Sequence, residues 1–318
     1  MSKLETASPR DISDALIERL QCPLCGGRER QTHLGFRDIP VVRCSRCGFL
    51  FSSRILSDAA TRDYYQGNFG SQRHLDGQRV NARTNAVVLE RLLDLSKVKS
   101  WLDIGCGYGF LLRWLVKHGI VAEGVELSTQ EANYARAAGL SVHNSLLSEA
   151  GLPIDHFDVV SSFEVIEHIA DPRALLAEMA HYVRPGGFLV VMTDNFESAA
   201  ARKLRGAFPK WIPHSHVSHF GPESLRACIK GIRGLTIEQE AGYTPWDVSG
   251  RHLLAHFSPA VRDEEAFDLR ATLSTEMNKH YKLFHLRYYS NPVWTRLTLG
   301  RKMESGALMY ALCRKQPA

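Results

Sequence analysis

Between residues 97 and 193, short apolar runs alternate with stretches whose apolar residues recur at helical spacing. The first run, Val98 to Ile104, leads into Gly105, Gly107 and Gly109, and then into the helical pattern Phe110, Leu111, Trp114 and Leu115. That order reads as strand, tight turn, helix. A second run, Ile120 to Val125, ends in Glu126; a helix is predicted over Gln130 to Ala138 and a short strand over Leu140 to His143. A third run, Phe157 to Phe163, leads into Glu164-Val165-Ile166-Glu167-His168 and a helix from about Asp171 to Val183. Arg184-Pro185-Gly186-Gly187 is expected to stop that helix before a buried strand, Phe188 to Thr193. Further on, a helix is predicted from Pro222 to Lys230 and strands at Leu235 to Glu240 and Ala307 to Arg314. The alternation predicts an α/β fold with a doubly wound, mostly parallel sheet. Apolar positions between about 249 and 299, such as Leu253, Phe257, Leu269, Leu273 and Phe284, predict a helical insertion before the last strand. It would shape a pocket or form a homodimer face.

The glycine turn has a chemical meaning. Glycine lets the backbone approach a ligand closely, and a helix start offers free N–H groups. The spacing, Gly105-x-Gly107-x-Gly109 after Asp103, differs from the G-x-G-x-x-G of dinucleotide sites. Glu126 follows Gly109 by 17 residues, near the offset of an acid that binds ribose hydroxyls.

The series LDIGCGYG, VEL, FDVVSSFEVIEH and VRPGG resembles the class I S-adenosylmethionine-dependent methyltransferases over roughly residues 80 to 245. The resemblance implies a Rossmann-like seven-stranded sheet. It places Asp103, Gly105, Cys106, Gly107 and Gly109 around the methionine part of the cofactor and Glu126 with Leu127 at its ribose. Phe163, Glu164 and His168 fall beside the cofactor. Ser145 stands where the family often has an acid near the adenine amine. Tyr65, in the aromatic segment Tyr64 to Phe69, is expected to cover the methionine end.

Composition changes the picture at the N-terminus. Four of the seven cysteines form Cys22-x-x-Cys25 and Cys44-x-x-Cys47, with 18 residues between Cys25 and Cys44. That spacing predicts a ribbon over residues 1–57 with one structural zinc ion held by four thiolates. A helical linker or cover over 58–96 and a methyltransferase domain over 97–318 complete the expected organisation. The net charge of +5 is mild and dispersed, so nucleic acid is not expected as a partner. No run is long enough for a membrane span, and the reduced cysteines suit a cytoplasmic protein.

The order CPLCGG, VVRCSRCGFLFSSR, DYYQGNF and then the core is similar to bacterial sugar, polysaccharide and natural-product methyltransferases, including nucleotide-sugar C-methyltransferases. In those, a histidine after the fifth strand is the expected base. Alignment on that segment gives the position to His216, with His219 and His214 as further candidates in Trp211 to Pro222. Histidine titrates near neutral pH and suits proton removal from a hydroxyl. Glu164, Glu167 and His168 form E-x-x-E-H, which resembles a divalent-metal motif of a small-RNA 2′-O-methyltransferase group and some quinone O-methyltransferases. Two carboxylates there suit Mg2+, completed by a loop histidine.

The expected function is methyl transfer from S-adenosylmethionine to a hydroxyl or carbon of a small molecule such as a sugar or natural-product intermediate. An RNA methyltransferase docking through arginines of the ribbon is the first alternative. A non-catalytic cofactor-binding interaction protein is the second.

Overall fold

A computed structural model describes residues 15–57, 59–61, 64, 72–246, 248–250 and 283–317. Strands β1 (Leu16–Glu18), β2 (Arg30–Leu34), β3 (Val41–Cys44), β4 (Leu50–Ser52) and β5 (Arg54–Leu56) come first. The long helix α1 (Gln72–Leu92) follows, then β6 (Ser100–Ile104), α2 (Phe110–Lys117), β7 (Val121–Val125), α3 (Thr129–Ala137) and β8 (Ser141–His143). The second half holds β9 (Phe157–Phe163), α4 (Pro172–Tyr182), β10 (Val183–Asp194), α5 (Ala199–Leu204), β11 (Ser218–His219) and α6 (Pro222–Lys230). It ends with β12 (Leu235–Tyr243), α7 (Phe284–Thr298) and β13 (Leu308–Lys315).

Seven strands form one sheet in the order β12-β13-β10-β9-β6-β7-β8. All neighbours from β10 to β8 pair in parallel, and β13 runs antiparallel to both β10 and β12. This is the class I methyltransferase sheet, and its strand order reverses direction between β6 and β9, where such sheets bind ligands at their C-terminal ends. The helices start on local signals. Ser128 caps α3 by accepting from the Glu131 N–H, and Asp171 caps α4 by accepting from Ala174 N–H with Pro172 next.

One expected stop became a strand. Helix α4 ends at Tyr182, and Arg184 to Gly187 extend β10 backwards through a register shift between Val183 and Phe188. The reason is steric room: a Cβ on Gly187 would lie 2.8 Å from the Asp158 carbonyl of β9, so glycine lets the bulged strand keep close to its neighbour. Of the helical insertion expected over 249–299, residues 251–282 lie outside the described residues. The described part, α7, packs against α1 and leaves Leu286, Val293 and Leu297 exposed. Among the described residues, no helix is long and apolar enough to cross a membrane.

Alternate residues of the parallel strands feed two cores. Leu102, Val160 and Leu189 face α4 and α6, whereas Trp101, Val159 and Val190 face α1, α2 and α3. The N-terminal ribbon shares the first core: Phe49 and Phe51 are buried there, and the Phe49 ring lies 5.1 Å from that of Phe220. Burial of each such ring contributes roughly 2 kcal/mol. The ribbon sheet itself runs β11-β4-β3-β2, so its edge strand comes from residues 218–219, far along the chain.

Candidate active site

The glycine turn lies at the C-terminal end of β6. Gly105, Gly107 and Gly109 all have positive φ, at 69°, 55° and 72°. Gly105 N–H and Cys106 N–H both donate to the Val125 carbonyl, at 2.8 and 3.2 Å, which ties the turn to β7. A Cβ on Gly105 would come 2.5 Å from Val165 Cγ2, and one on Gly109 2.6 Å from Leu140 Cδ1. Side chains at these places would therefore fill the cradle or collide with its walls. Cys106 points inward and is buried, with its thiol pushed well up by burial and by nearby Asp103. It is a packing residue of the turn.

Two buried acids flank this cradle. Asp103 accepts from Ser161 Oγ at 2.6 Å, and Ser161 in turn accepts from Trp101 Nε1 at 2.7 Å. Burial, and the charge of Glu126, push the Asp103 carboxyl up to about 7. Glu126 accepts from Gly107 N–H at 2.9 Å and Ser128 N–H at 2.7 Å. Burial, and then Glu131, push Glu126 up to about 7 as well. Several carboxylates in one poorly solvated place favour a cationic ligand, whose charge relieves their repulsion. Leu127 beside Glu126 is exposed, and the Asn144 side chain donates to the Glu126 and Leu127 carbonyls. Ser145 lies half-buried at the end of β8 and donates to the Leu146 carbonyl. Tyr65 lies outside the described residues.

Helix α1 adds groups to a segment that the sequence pattern marks only as a cover. Gln78 accepts from Tyr108 N–H at 2.9 Å through Oε1 and donates to Glu131 at 3.1 Å through Nε2. His74 Nε2 lies 3.1 Å from Glu131. One turn on, Asn81 donates to Glu164 at 2.5 Å. Residues 74, 78, 81 and 85 share one helix face.

Beyond the cradle, at the ends of β9 and β10, stands a second group of polar residues. Phe163 is half-buried at the end of β9, and Glu164 follows with φ at 54°, an uncommon value for a side chain that is not glycine. Lys210, which no sequence motif marks, sits 2.5 Å from Glu164 and 3.2 Å from Asp194. Burial pushes the Glu164 carboxyl up, but the Lys210 ammonium outweighs this and holds it below its ordinary range. Glu167 is fully buried and accepts from Thr193 Oγ1 at 2.9 Å; burial, with Asp194 and Glu164 nearby, pushes it well up.

The three loop histidines separate. His216 lies with the acids: its Nδ1 is 3.8 Å from Asp194 and its ring centroid 4.6 Å from that of His168. Burial holds it well below the ordinary histidine range, hence neutral. His168 meets Ser215 through Nδ1 at 2.9 Å and is pulled down to about 4 by burial. His214 is buried edge-on to Tyr64, with ring centroids 5.4 Å apart. His219 turns the other way. Its ring packs 4.6 Å from Phe196 and 4.9 Å from Trp211, and its Nε2 meets Ser52 of the ribbon at 3.3 Å.

The residues expected for magnesium do not form one site. Glu164 is engaged by Lys210 and Asn81, apart from His168. Among the described residues outside the cysteine cluster, the donor sets whose atoms converge are Glu167, His168 and His216, and separately Glu164, Glu167 and Asp194. An ammonium already holds two acids of the second set. The first offers one carboxylate and two imidazoles, which suit a transition ion rather than oxygen-seeking magnesium.

At the other end of the ribbon, the four cysteine sulfurs converge. Cys22 and Cys47 Sγ lie 3.6 Å apart, as do those of Cys25 and Cys44. Four thiolates around zinc at about 2.3 Å sit about 3.8 Å apart, so this set fits a closed tetrahedral shell. Gly26 and Gly48, at φ 70° and 75°, let each knuckle turn back so that its N–H donates to the Cys22 and Cys44 carbonyls.

Residues 76–240 match the family model described as a methyltransferase domain. Ubiquinone biosynthesis O-methyltransferase of Caulobacter vibrioides is 34% identical over 146 residues, covering 41% of this chain and 57% of that one. The enzyme of the same description from Xylella fastidiosa is 31% identical over 164 residues, 46% of this chain and 65% of that one. The chain thus spans under two thirds of the length of these relatives. A solved SAM-dependent methyltransferase from Thermotoga maritima is 17% identical, covering 81% of this chain and 96% of that one, with a TM-score of 0.49. The family model takes in β6 to β10 with the glycine turn, Glu126 and the Glu164–His168 segment, and the chain belongs to the methyltransferase domain family.

Proposed function

We propose that the chain transfers a methyl group from S-adenosylmethionine to a hydroxyl of a small molecule, in the cytoplasm, with a sugar or natural-product intermediate as acceptor. The observation that carries this reading is the placement of the glycine cradle, Glu126 and Glu164 at the ends of three adjacent strands, β6, β7 and β9. When bound there, S-adenosylmethionine supplies an activated methyl group on a cationic sulfur. Glu126 would hold the ribose hydroxyls, and the side-chain-free backbone of the glycine turn would let the cofactor's polar end approach closely. Asp103 and Glu126 favour its positive charge. The relatives' description as O-methyltransferases supports oxygen as the accepting atom.

His216 would take the hydroxyl proton. It is neutral and so can accept one, and Asp194 stands 3.8 Å from its Nδ1 to stabilise the charge that results. His219 locks the loop against the ribbon, and His214 packs beside Tyr64. An RNA substrate finds less support. Arg30 donates to the Arg19 carbonyl and Arg43 to the Gly48 carbonyl and Glu197, so these two of the ribbon's arginines are engaged within the protein. A second copy of the chain would dock on the exposed apolar face of α7.

Calorimetry with S-adenosylmethionine tests the first half of the reading: micromolar binding that Glu126→Ala weakens supports it, and no binding at millimolar ligand sinks it. Methyl transfer to a panel of sugar and phenolic hydroxyl acceptors tests the second. His216→Ala is expected to abolish turnover while sparing cofactor affinity.

A further inference from the structure

Two chain segments carry the acceptor-side groups: Glu164 to Ala170 after β9, and Trp211 to His219 after β10. Both are short of regular structure, yet they hold buried polar groups that must stay in register. The ribbon supplies the missing constraint. Arg19, just after β1, is buried, and its guanidinium donates through Nη1 to the Val217 carbonyl at 2.7 Å and through Nη2 to the Ala170 carbonyl at 2.5 Å. One rigid fork thus ties the ends of both segments together. Its plane lies over the Phe51 ring at 5.4 Å, and the Arg19 carbonyl accepts from Arg30 of β2.

Ser52 reinforces the same junction. Its backbone N–H donates to the Val217 carbonyl at 3.1 Å, and its hydroxyl reaches the Pro213 and His216 carbonyls at 2.8 and 3.3 Å. Val217 N–H in turn donates to the Glu167 carbonyl at 2.8 Å, and Ser218 Oγ to the Ile169 carbonyl at 2.9 Å. Strand β11 completes the link by pairing Ser218 with Phe51 and His219 with Leu50. From the cysteine knuckles to His216 the path is therefore continuous: β3 carries Cys44, pairs with β4, and β4 pairs with β11.

We propose that the ribbon is a positioning arm of the acceptor side, in which Arg19 and Ser52 hold His216 and Glu167 in place and the zinc state of the four cysteines sets that placement. The cofactor cradle at Gly105 to Gly109 makes none of these bonds; it is tied to β7 and α1 instead. The ribbon's influence should therefore fall on one half of the site only. This rests on the reading of the Glu167–His216 group as the acceptor side.

The test uses the full-length, zinc-loaded protein with isotope-labelled histidine, at one fixed pH. Imidazole signals of His168 and His216 are assigned with His168→Asn and His216→Asn. In Arg19→Lys, which cannot span two carbonyls, both signals should move while those of His118 and His143 stay. Removal of zinc with a chelator should move the same two, and zinc alone should restore them. The Kd for S-adenosylmethionine should stay within about twofold throughout. Unchanged His168 and His216 signals in a folded Arg19→Lys protein would overturn the proposal. So would a loss of cofactor affinity of about tenfold or more in parallel, which would mark the ribbon as a general scaffold. If Arg19→Lys does not fold, Ser52→Ala is read by the same signals and decides in the same way. A failure of the parent protein to bind S-adenosylmethionine at all would instead strike the function proposed above and leave the histidine signals to judge the arm.

Discussion

Ser52 of the N-terminal ribbon and His219, 167 residues further on, meet at 3.3 Å inside the protein, where neither is exposed. The contact closes the edge of the ribbon sheet with a strand from the part of the chain that matches the methyltransferase domain. A ribbon that packs this way shares its core with the rest of the chain, through Phe49, Phe51 and Phe220. A metal ion held by the four cysteines would then be part of the folding free energy of the larger unit. Zinc chelation or Cys44→Ser is expected to lower the melting temperature of the whole protein in one transition. A separate early transition, with the main one unmoved, would show the ribbon to unfold on its own.

The buried acids of the cradle give a pH dependence with a definite sign. Glu126 stands at about 7 when folded against an ordinary value of 4.5. The folded chain keeps a proton that the unfolded chain gives up earlier. That contribution is fully present below the ordinary value and is lost as pH rises through about 7. His168, at about 4 against an ordinary 6.5, works the other way and stabilises as pH rises from about 4 to 6.5. The clean readout is therefore a difference. Glu126→Gln should gain stability relative to the parent as pH is raised from 5 to 8, by on the order of 1 kcal/mol or more. Parallel pH curves for the two proteins would contradict this. Cofactor affinity should rise over the same range in the parent, because a cation favours the ionised acids.

Gly105→Ala tests the cradle itself. Its φ of 69° disfavours any side chain, and a Cβ would press on Val165 Cγ2 at 2.5 Å. The backbone term alone is roughly 1–2 kcal/mol. Thermal unfolding should show that loss, and calorimetry a larger loss of cofactor binding, since the turn must shift to admit the methyl. Full cofactor affinity in Gly105→Ala would mean that the cofactor lies elsewhere.

Spacing made the strand ends legible. Gly105 and Glu126 belong to neighbouring parallel strands, so their separation along the chain reports their separation in space, and sequence alone reaches both. Pro185-Gly186-Gly187 misled because glycine stops a helix and also permits a bulged strand to hug its neighbour; only the nearness of Asp158 decides between them. Gln78, Asn81 and Lys210 come to the site through tertiary packing of α1 and of the loop after α5. No local pattern marks Lys210 among the other basic residues between Arg202 and Lys210. The three histidines shared one local pattern, yet their rings ended in three environments, because the loop between them is threaded between the ribbon and the sheet.

Lys210 yields the last prediction. Its ammonium lies between Glu164 and Asp194, and those two acids outweigh burial and keep it charged well above neutral pH. A fixed cation repels a second one at the same carboxylates. Added magnesium should therefore neither bind there nor raise turnover. Manganese, which takes oxygen ligands and reports its own binding by electron paramagnetic resonance, gives the direct measurement on zinc-loaded protein. The parent should bind no manganese at the Glu164–Asp194 pair, so none that Glu164→Gln alone removes. Lys210→Ala leaves Glu164, Glu167 and Asp194 without their cation, and removing one partner of a half-buried pair is costly unless another charge replaces it. That variant should melt lower than the parent and take up manganese, with melting partly restored by the metal. Glu164→Gln added to Lys210→Ala should abolish the uptake. Manganese bound by the parent, and lost on Glu164→Gln alone, would show that the lysine yields its place to a metal and that the acid pair is a metal site after all.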